Sequence, residues 1–204
     1  MIFKDRKEAG EKLAEKLRAL KDEDMVIYAL PRGGVVLGKV IAKALGQPLD
    51  LLVVRKVGHP TDPEYAVGAV AEDGHTRFSE EGEGLQKELK ESIEKERKEA
   101  ERRRKVYTED KTISALGKTA VIVDDGIATG LTMELAISEI LHQKPKKVIV
   151  AIPVVPSDTA EKLKKEIDEL VAIDIDKNYL GAVGAYYEFF PQLTDEEVIN
   201  LLKY

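Results

Sequence analysis

With 204 residues, 43% of them hydrophobic and 34% charged, the chain is long enough for one domain with a packed core and too apolar to be disordered. A net charge of −6 argues against broad affinity for nucleic acid or an anionic membrane surface, and no apolar run approaches the roughly 18 residues of a membrane-spanning helix. The absence of cysteine removes thiol nucleophiles, thiolate zinc sites and disulfides together.

The N-terminal stretch MIFKDRKEAGEKLAEKL lacks an apolar core and reads as an amphipathic helix, so no signal peptide is expected and the cytoplasm is the expected location. Short apolar runs at 25–30, 49–54, 119–124, 147–153 and 170–175 end in Gly, Pro or Asp and read as strands. Between them, 35–45 carries Val36, Val40, Ile41 and Ala44 at helical spacing. Segments 133–142 and 159–167 show similar faces, and 195–202 closes the chain as a helix. This alternation predicts a single α/β domain over 1–204, a mostly parallel sheet flanked by helices on both sides.

The segment 57–107 breaks the rhythm and reads as an insertion between sheet strands. Pro60, Pro63 and Gly74 punctuate an expected loop and short hairpin, and 80–105 then places 18 charged residues among 26. Leu85, Leu89 and Ile93 form a narrow apolar stripe on what reads as a long solvated helix laced by i, i+4 ion pairs. That stripe would rest on the sheet domain or on a second subunit of a homodimer. The basic run Arg102 to Lys105 could meet an anion or a partner, but it follows five glutamates between 91 and 101 and needs no function. The three histidines, His59, His75 and His142, lie far apart in sequence with no metal-ligand spacing.

Chemistry concentrates where strands end. The run 119–124 delivers two adjacent carboxylates, Asp124 and Asp125, to a C-terminal strand end, which is where open α/β sheets bind ligands. Gly126, Thr129, Gly130 and Thr132 then lead into a helix starting near Leu131, so backbone N–H groups, hydroxyls and a helix N-terminus can cradle a phosphate. One ligand carrying both a phosphate and a diol, a sugar phosphate, fits both halves. At the end of the first strand, Ala29-Leu-Pro-Arg-Gly-Gly34 offers a planar guanidinium and two glycines that permit close backbone approach, a second anion site.

The segment VIVDDGIATGLT, 121–132, resembles the motif by which type I phosphoribosyltransferases bind 5-phosphoribosyl-1-pyrophosphate (PRPP). The resemblance implies that Asp124 and Asp125 bind the ribose 2- and 3-hydroxyls, and that Gly126, Ile127, Ala128, Thr129, Gly130 and Thr132 hold the 5-phosphate. It implies a pyrophosphate site at Pro31, Arg32 and Gly33, with a cis peptide between Pro31 and Arg32, and a basic residue, Lys56, placed against the same group. Arg32, Asp124 and Asp125 are the residues it marks as catalytic. The expected reaction is transfer of phosphoribosyl from PRPP to a base or base-like small-molecule acceptor, with Mg²⁺ entering on PRPP and pyrophosphate leaving. The insertion takes the place of the family's mobile catalytic loop, although it is longer than usual.

The acceptor end is less legible. Six of the eleven aromatics lie in the last 26 residues, where they either stack on an acceptor or close the core beneath the final helix. A loose likeness to the C-terminal segment of hypoxanthine-guanine enzymes implies Tyr179 and Val183 in the acceptor pocket and Glu188 near the metal and pyrophosphate. Ala128 stands where those enzymes carry an Asp, so Glu64, Glu72 and Asp73 remain as general-base candidates that no spacing selects. The competing expectation is a regulatory protein that senses PRPP or nucleotides on the same fold without efficient catalysis.

Overall fold

A computed structural model describes residues 1–203; Tyr204, one of the C-terminal aromatics, lies outside the described residues. In chain order, α1 (Arg6–Leu17) leads to β1 (Met25–Ala29), α2 (Gly34–Leu45) and β2 (Leu49–Leu51). The chain then leaves the main sheet for β3 (Val54–His59), β4 (Asp62–Ala71), β5 (Thr76–Phe78), the short α3 (Glu80–Gly84) and the long α4 (Lys90–Thr108). It returns with β6 (Thr119–Val123), α5 (Leu131–His142), β7 (Lys147–Pro156), α6 (Ser157–Leu163), β8 (Glu169–Asp176) and α7 (Asp195–Leu202).

Five strands pair in the order β2-β1-β6-β7-β8, every pair parallel, so the expected α/β architecture is what forms. β1 and β6 are buried at every position, as a sheet covered on both faces requires. On one face Met25, Ile27, Val121 and Val123 pack against Leu13, Leu17, Leu37 and Ile41 of α1 and α2. On the other, Tyr28, Ile122 and Val150 meet Met133, Ile137 and Ile140 of α5, and Val54 of β3 with Ala69 and Ala71 of β4 join the same cluster. No helix among the described residues is long and apolar enough to cross a membrane.

The differences from expectation have local causes. The run 49–54 is shared between two sheets: β2 stops at Leu51, and from Val54 the backbone pairs with Ala71 of β4 instead. Burial alone cannot reveal such a change of partner. β7 runs past Pro153 to Pro156 because Val154, Val155 and Pro156 still pair with β8. α6 ends at Leu163, short of the expected 167.

The insertion differs most. In place of a loop and short hairpin, β3, β4 and β5 make an antiparallel three-stranded sheet. Leu85, Leu89 and Ile93 pack on Val57, Val67, Val70 and Phe78 of that sheet, with Leu89 fully buried and Leu85 and Ile93 half-buried, so the stripe rests on the inserted sheet. The charged segment is not one continuous helix either. Gly82 passes so close to β4 that a Cβ there would stand 2.1 Å from the Val67 carbonyl oxygen, and the chain turns through 85–89 before α4 begins. The basic run is split between solvent and interior: Arg102 and Lys105 are exposed, whereas Arg103 and Arg104 are buried. Arg104 donates to Asp50 Oδ1 at 3.1 Å, to Glu72 at 3.0 Å and to the Leu51 carbonyl at 2.6 Å, which ties α4 to both sheets.

Candidate active site

β1 and β6 are neighbours in register, Ala29 opposite Val123, so the loops that follow them emerge side by side. Leu30 N–H donates to Val123 O at 3.0 Å, which fixes the first loop against the second strand. The Pro31–Arg32 peptide is cis, as the resemblance implied. The two glycines serve close approach: a Cβ on Gly33 would stand 1.8 Å from Asp125 Oδ2, and one on Gly34 would stand 2.8 Å from Val123 O. The two expected anion loops therefore form one continuous surface.

The acidic pair is held from behind by α1. Asp125 Oδ2 accepts from Arg6 Nε at 2.8 Å, with the Asp125 side chain 14% exposed and that of Arg6 9% exposed. Arg6 also donates to Pro191 O at 2.7 Å and lies 3.8 Å above the Phe190 ring centroid. Asp124 Oδ1 accepts from Asp125 N–H at 2.8 Å. Burial, and then the charge of Asp125, raise the Asp124 carboxyl well above the usual carboxylate range. Burial raises Asp125 as well, opposed by Arg6. One guanidinium thus faces two acids, and Asp124 has no ion-pair partner among the described residues.

Beyond the pair, Gly130 adopts a φ of 87° and opens α5, and a Cβ on Gly126 would stand 2.6 Å from Val183 Cγ1. Ala128 and Thr129 are exposed and Thr132 is half-buried, so these positions are reachable by a phosphate. Ile127 is different: its side chain is buried and its N–H already donates to Val154 O at 3.0 Å, which anchors the loop and leaves that donor committed.

Next to the first loop lies a cavity of about 240 Å³ lined by Arg6, Pro31, Arg32, Gly33, Arg55 and Arg103. Four guanidiniums converge on it. Arg32 Nη1 donates to Leu193 O at 2.8 Å, and its Nε lies 3.4 Å from Tyr107 Oη and 3.3 Å from Asp195 Oδ1. Tyr107 Oη donates to the same Asp195 oxygen at 2.5 Å, so α4 and α7 together orient Arg32. Arg55 and Arg103 are held by Glu96 and Glu99, each at 2.8 Å. Lys56, expected here, is not brought to this cavity. Successive residues of a strand point to opposite faces, and with Arg55 directed inward Lys56 reaches Glu64 at 2.9 Å on the outside.

Sequence reading missed Arg6, Arg55, Arg103, Tyr107 and Asp195. Arg6 left one usable signal: it is the first residue of α1, an end where the helix dipole favours acids, so a cation there needs an outside partner. Of the C-terminal candidates, Val183 sits against Gly126. Tyr179 stacks on Tyr186 with centroids 5.3 Å apart, burial pushes its hydroxyl up to about 12, and its Oη is the buried side-chain polar atom without a partner among the described residues. Glu188 is exposed, and its N–H donates to Phe3 O at 2.8 Å. The general-base candidates are engaged elsewhere: Glu64 with Lys56, Glu72 with Arg104, and Asp73 with His75.

Comparison with known proteins agrees with this geometry. The family of the phosphoribosyl transferase domain matches residues 2–189. Two curated Mycobacterium tuberculosis proteins, from strains CDC 1551 and H37Rv, both carrying phosphoribosyl transferase as a provisional name, are 37% identical over 206 residues. The match takes in 98% of this chain and 46% of theirs, so the chain spans about half the length of the curated relatives it matches. Among solved structures, TT1426 from Thermus thermophilus is 40% identical, with a TM-score of 0.79 over 99% of this chain and 98% of that one. AQ2163 from Aquifex aeolicus, 17% identical, shares the fold with a TM-score of 0.54 over 84% of this chain and 74% of its own. A match that runs through both strand-end loops and over nearly the whole chain makes this protein a member of the phosphoribosyl transferase domain family, on the type I fold.

Proposed function

We propose that the chain transfers a 5-phosphoribosyl group from PRPP to a nitrogen of a base or base-like acceptor and releases pyrophosphate. The observation that carries this reading is the abutment of an acidic pair and an arginine-lined cavity at Gly33, with an open phosphate loop beyond. PRPP is a ligand whose diol, 5-phosphate and pyrophosphate suit those three places in turn. Asp124 and Asp125 would accept from the ribose hydroxyls, Thr129, Gly130 and Thr132 would meet the 5-phosphate, and Arg32 with Arg55 and Arg103 would face the pyrophosphate. In the reaction the bond from ribose C1 to the pyrophosphate oxygen breaks and a bond from C1 to the acceptor nitrogen forms. Arginines fixed in advance by Asp195, Glu96 and Glu99 stabilise the departing negative charge without reorganising.

The donor set also suits Mg²⁺. Asp124 forms no ion pair among the described residues, and Mg²⁺ is commonly held by one or two carboxylates together with substrate phosphate oxygens and water. Bound there with PRPP, the ion would neutralise charge on the pyrophosphate.

The test is pyrophosphate release from PRPP with Mg²⁺ across purines, pyrimidines and nicotinate-like acids. Release that depends on one acceptor class supports transfer and names the class. Tight PRPP binding with no release for any acceptor would replace transfer by sensing on the same site.

A further inference from the structure

Two of the three histidines, remote in sequence, meet in space. The turn after β4 carries Asp73, Gly74 and His75 toward the last turn of α5, where Glu139 and His142 stand three residues apart on one helix face. His75 Nδ1 lies 2.7 Å from Glu139 Oε1 and 3.1 Å from Asp73 Oδ2, and His142 Nδ1 lies 3.9 Å from the same Glu139 oxygen. The two imidazoles are 5.3 Å apart between centroids. One ligand atom from each of His75, Glu139 and His142 lies within 4.8 Å of the others.

Three physical features suit a cation here. The last turn of α5 presents the negative end of the helix dipole. Asp73 and Glu139 bring two carboxylates to the same imidazole, at 3.1 and 2.7 Å from His75 Nδ1. The imidazoles are the ligands that turn such a pair from a hard oxygen site into one for a borderline transition ion.

We propose that Asp73, His75, Glu139 and His142 bind one Zn²⁺ ion, which pins the inserted sheet to α5. Tetrahedral Zn²⁺ takes nitrogen and oxygen ligands at about 2.0–2.2 Å, which sets them about 3.3–3.6 Å from one another, so His75 must swing slightly away from the two carboxylates and His142 must swing in. The His75 and His142 side chains, 55% and 62% exposed, are free to make these movements. The same two elements are already joined nearby by Arg77 and Glu134 at 3.0 Å, so the ion would add a second fastening to an existing contact. Because α5 begins directly after Gly130, the clamp ties the insertion to the helix that carries the phosphate loop. The proposal uses no residue of the candidate active site and stands or falls independently of phosphoribosyl transfer.

The experiment titrates the metal-free full chain with Zn²⁺ against a chromophoric chelator, and with Co²⁺ by visible absorption. The expected result is one Zn²⁺ per chain with a Kd at or below about 10 µM, unaffected by millimolar Mg²⁺, and an intense four-coordinate Co²⁺ band. His75→Ala or His142→Ala should each weaken binding at least about tenfold, and the double variant should abolish it together with the Co²⁺ band. His142→Gln provides a second probe of the same ligand. His59→Ala, which alters the remaining histidine, and Asp124→Asn should bind as wild type. Failure to take up one equivalent, or uptake that survives the double variant, overturns the site.

Discussion

Gly33 and Asp125 approach so closely that a Cβ on the glycine would stand 1.8 Å from the carboxylate oxygen that Arg6 holds at 2.8 Å. The loop at 30–34 and the acidic pair fit together only because position 33 has no side chain. Gly33→Ala must therefore push Asp125 away from the buried Arg6. Overpacking of this kind destabilises by about 1–3 kcal/mol. The variant is expected to melt earlier and to lose PRPP binding by calorimetry. Wild-type PRPP affinity in a folded Gly33→Ala protein would show that the two loops do not share a ligand.

Asp124 and Asp125 make opposite predictions for stability. Burial and the neighbouring charge raise the Asp124 carboxyl above its unfolded value. The folded state therefore binds the proton more tightly, and stability falls as pH climbs from about 4, the unfolded value, through the raised native one. Above that window the penalty is complete, and Asp124→Asn removes it. At pH 7 this variant should be more stable than wild type by on the order of 1 kcal/mol, while PRPP binding disappears. The advantage should vanish as the pH is lowered to about 4. Asp125→Asn takes the paired carboxylate from the buried Arg6, leaving it the Pro191 carbonyl and the Phe190 ring, and should destabilise instead. Denaturant melts of both variants at acid and neutral pH decide the matter; an Asp124→Asn protein no more stable than wild type at pH 7 would refute the account.

What the sequence made legible follows from how local each signal is. Five parallel strands could be read because each is a short apolar run closed by a turn residue, and 121–132 could be read because its acids, glycines and threonines are contiguous. The arginine cavity is assembled from Arg6, Arg32, Arg55 and Arg103, four separate elements whose convergence only the fold defines. Arg55 and Lys56 show the limit well: both are basic, and the pleat of β3 alone decides which faces Arg32. The insertion was misread for a related reason. Its apolar positions, Val57, Val67, Val70 and Leu89, are too widely spaced to register as one core until β3 and β4 pair.

Arg32 should discriminate between the two ends of the ligand. A charged hydrogen bond is worth about 1.5–3 kcal/mol, so Arg32→Ala should weaken pyrophosphate binding roughly 10- to 100-fold. Ribose 5-phosphate, which lacks the pyrophosphate, should lose far less. Arg55→Ala should follow the same pattern, whereas Lys56→Ala should bind both ligands as wild type, because Lys56 is paired with Glu64. Titration calorimetry with the two ligands separates the cases. Equal losses for both ligands in Arg32→Ala would mean that the residue only joins Tyr107, Asp195 and Leu193, a structural role.

The resemblance puts 57–107 in the place of a mobile catalytic loop, and the packing narrows that expectation to one edge. Val57, Val67, Val70 and Leu89 are fully buried, so most of the insertion has a core of its own and should protect its amides without ligand. Residues 60–65 are all exposed and form the tip of the β3–β4 hairpin, where the ladder is irregular and pairs only His59 with Asp62; side chains add the Lys56–Glu64 pair at 2.9 Å and the Tyr65 hydroxyl on Glu81 at 3.0 Å. Exposed pairs of this kind contribute at most about 1 kcal/mol, too little to hold a turn closed. Hydrogen exchange of the free protein should therefore be slow in 67–71 and fast in 60–65. Adding PRPP with Mg²⁺ should slow 60–65 together with the loops at 30–34 and 124–132, as a segment that closes over bound ligand would. If 60–65 exchanges equally fast with ligand present, the insertion is a static part of the fold, and water must be kept from the reacting ribose by the acceptor and the C-terminal segment instead.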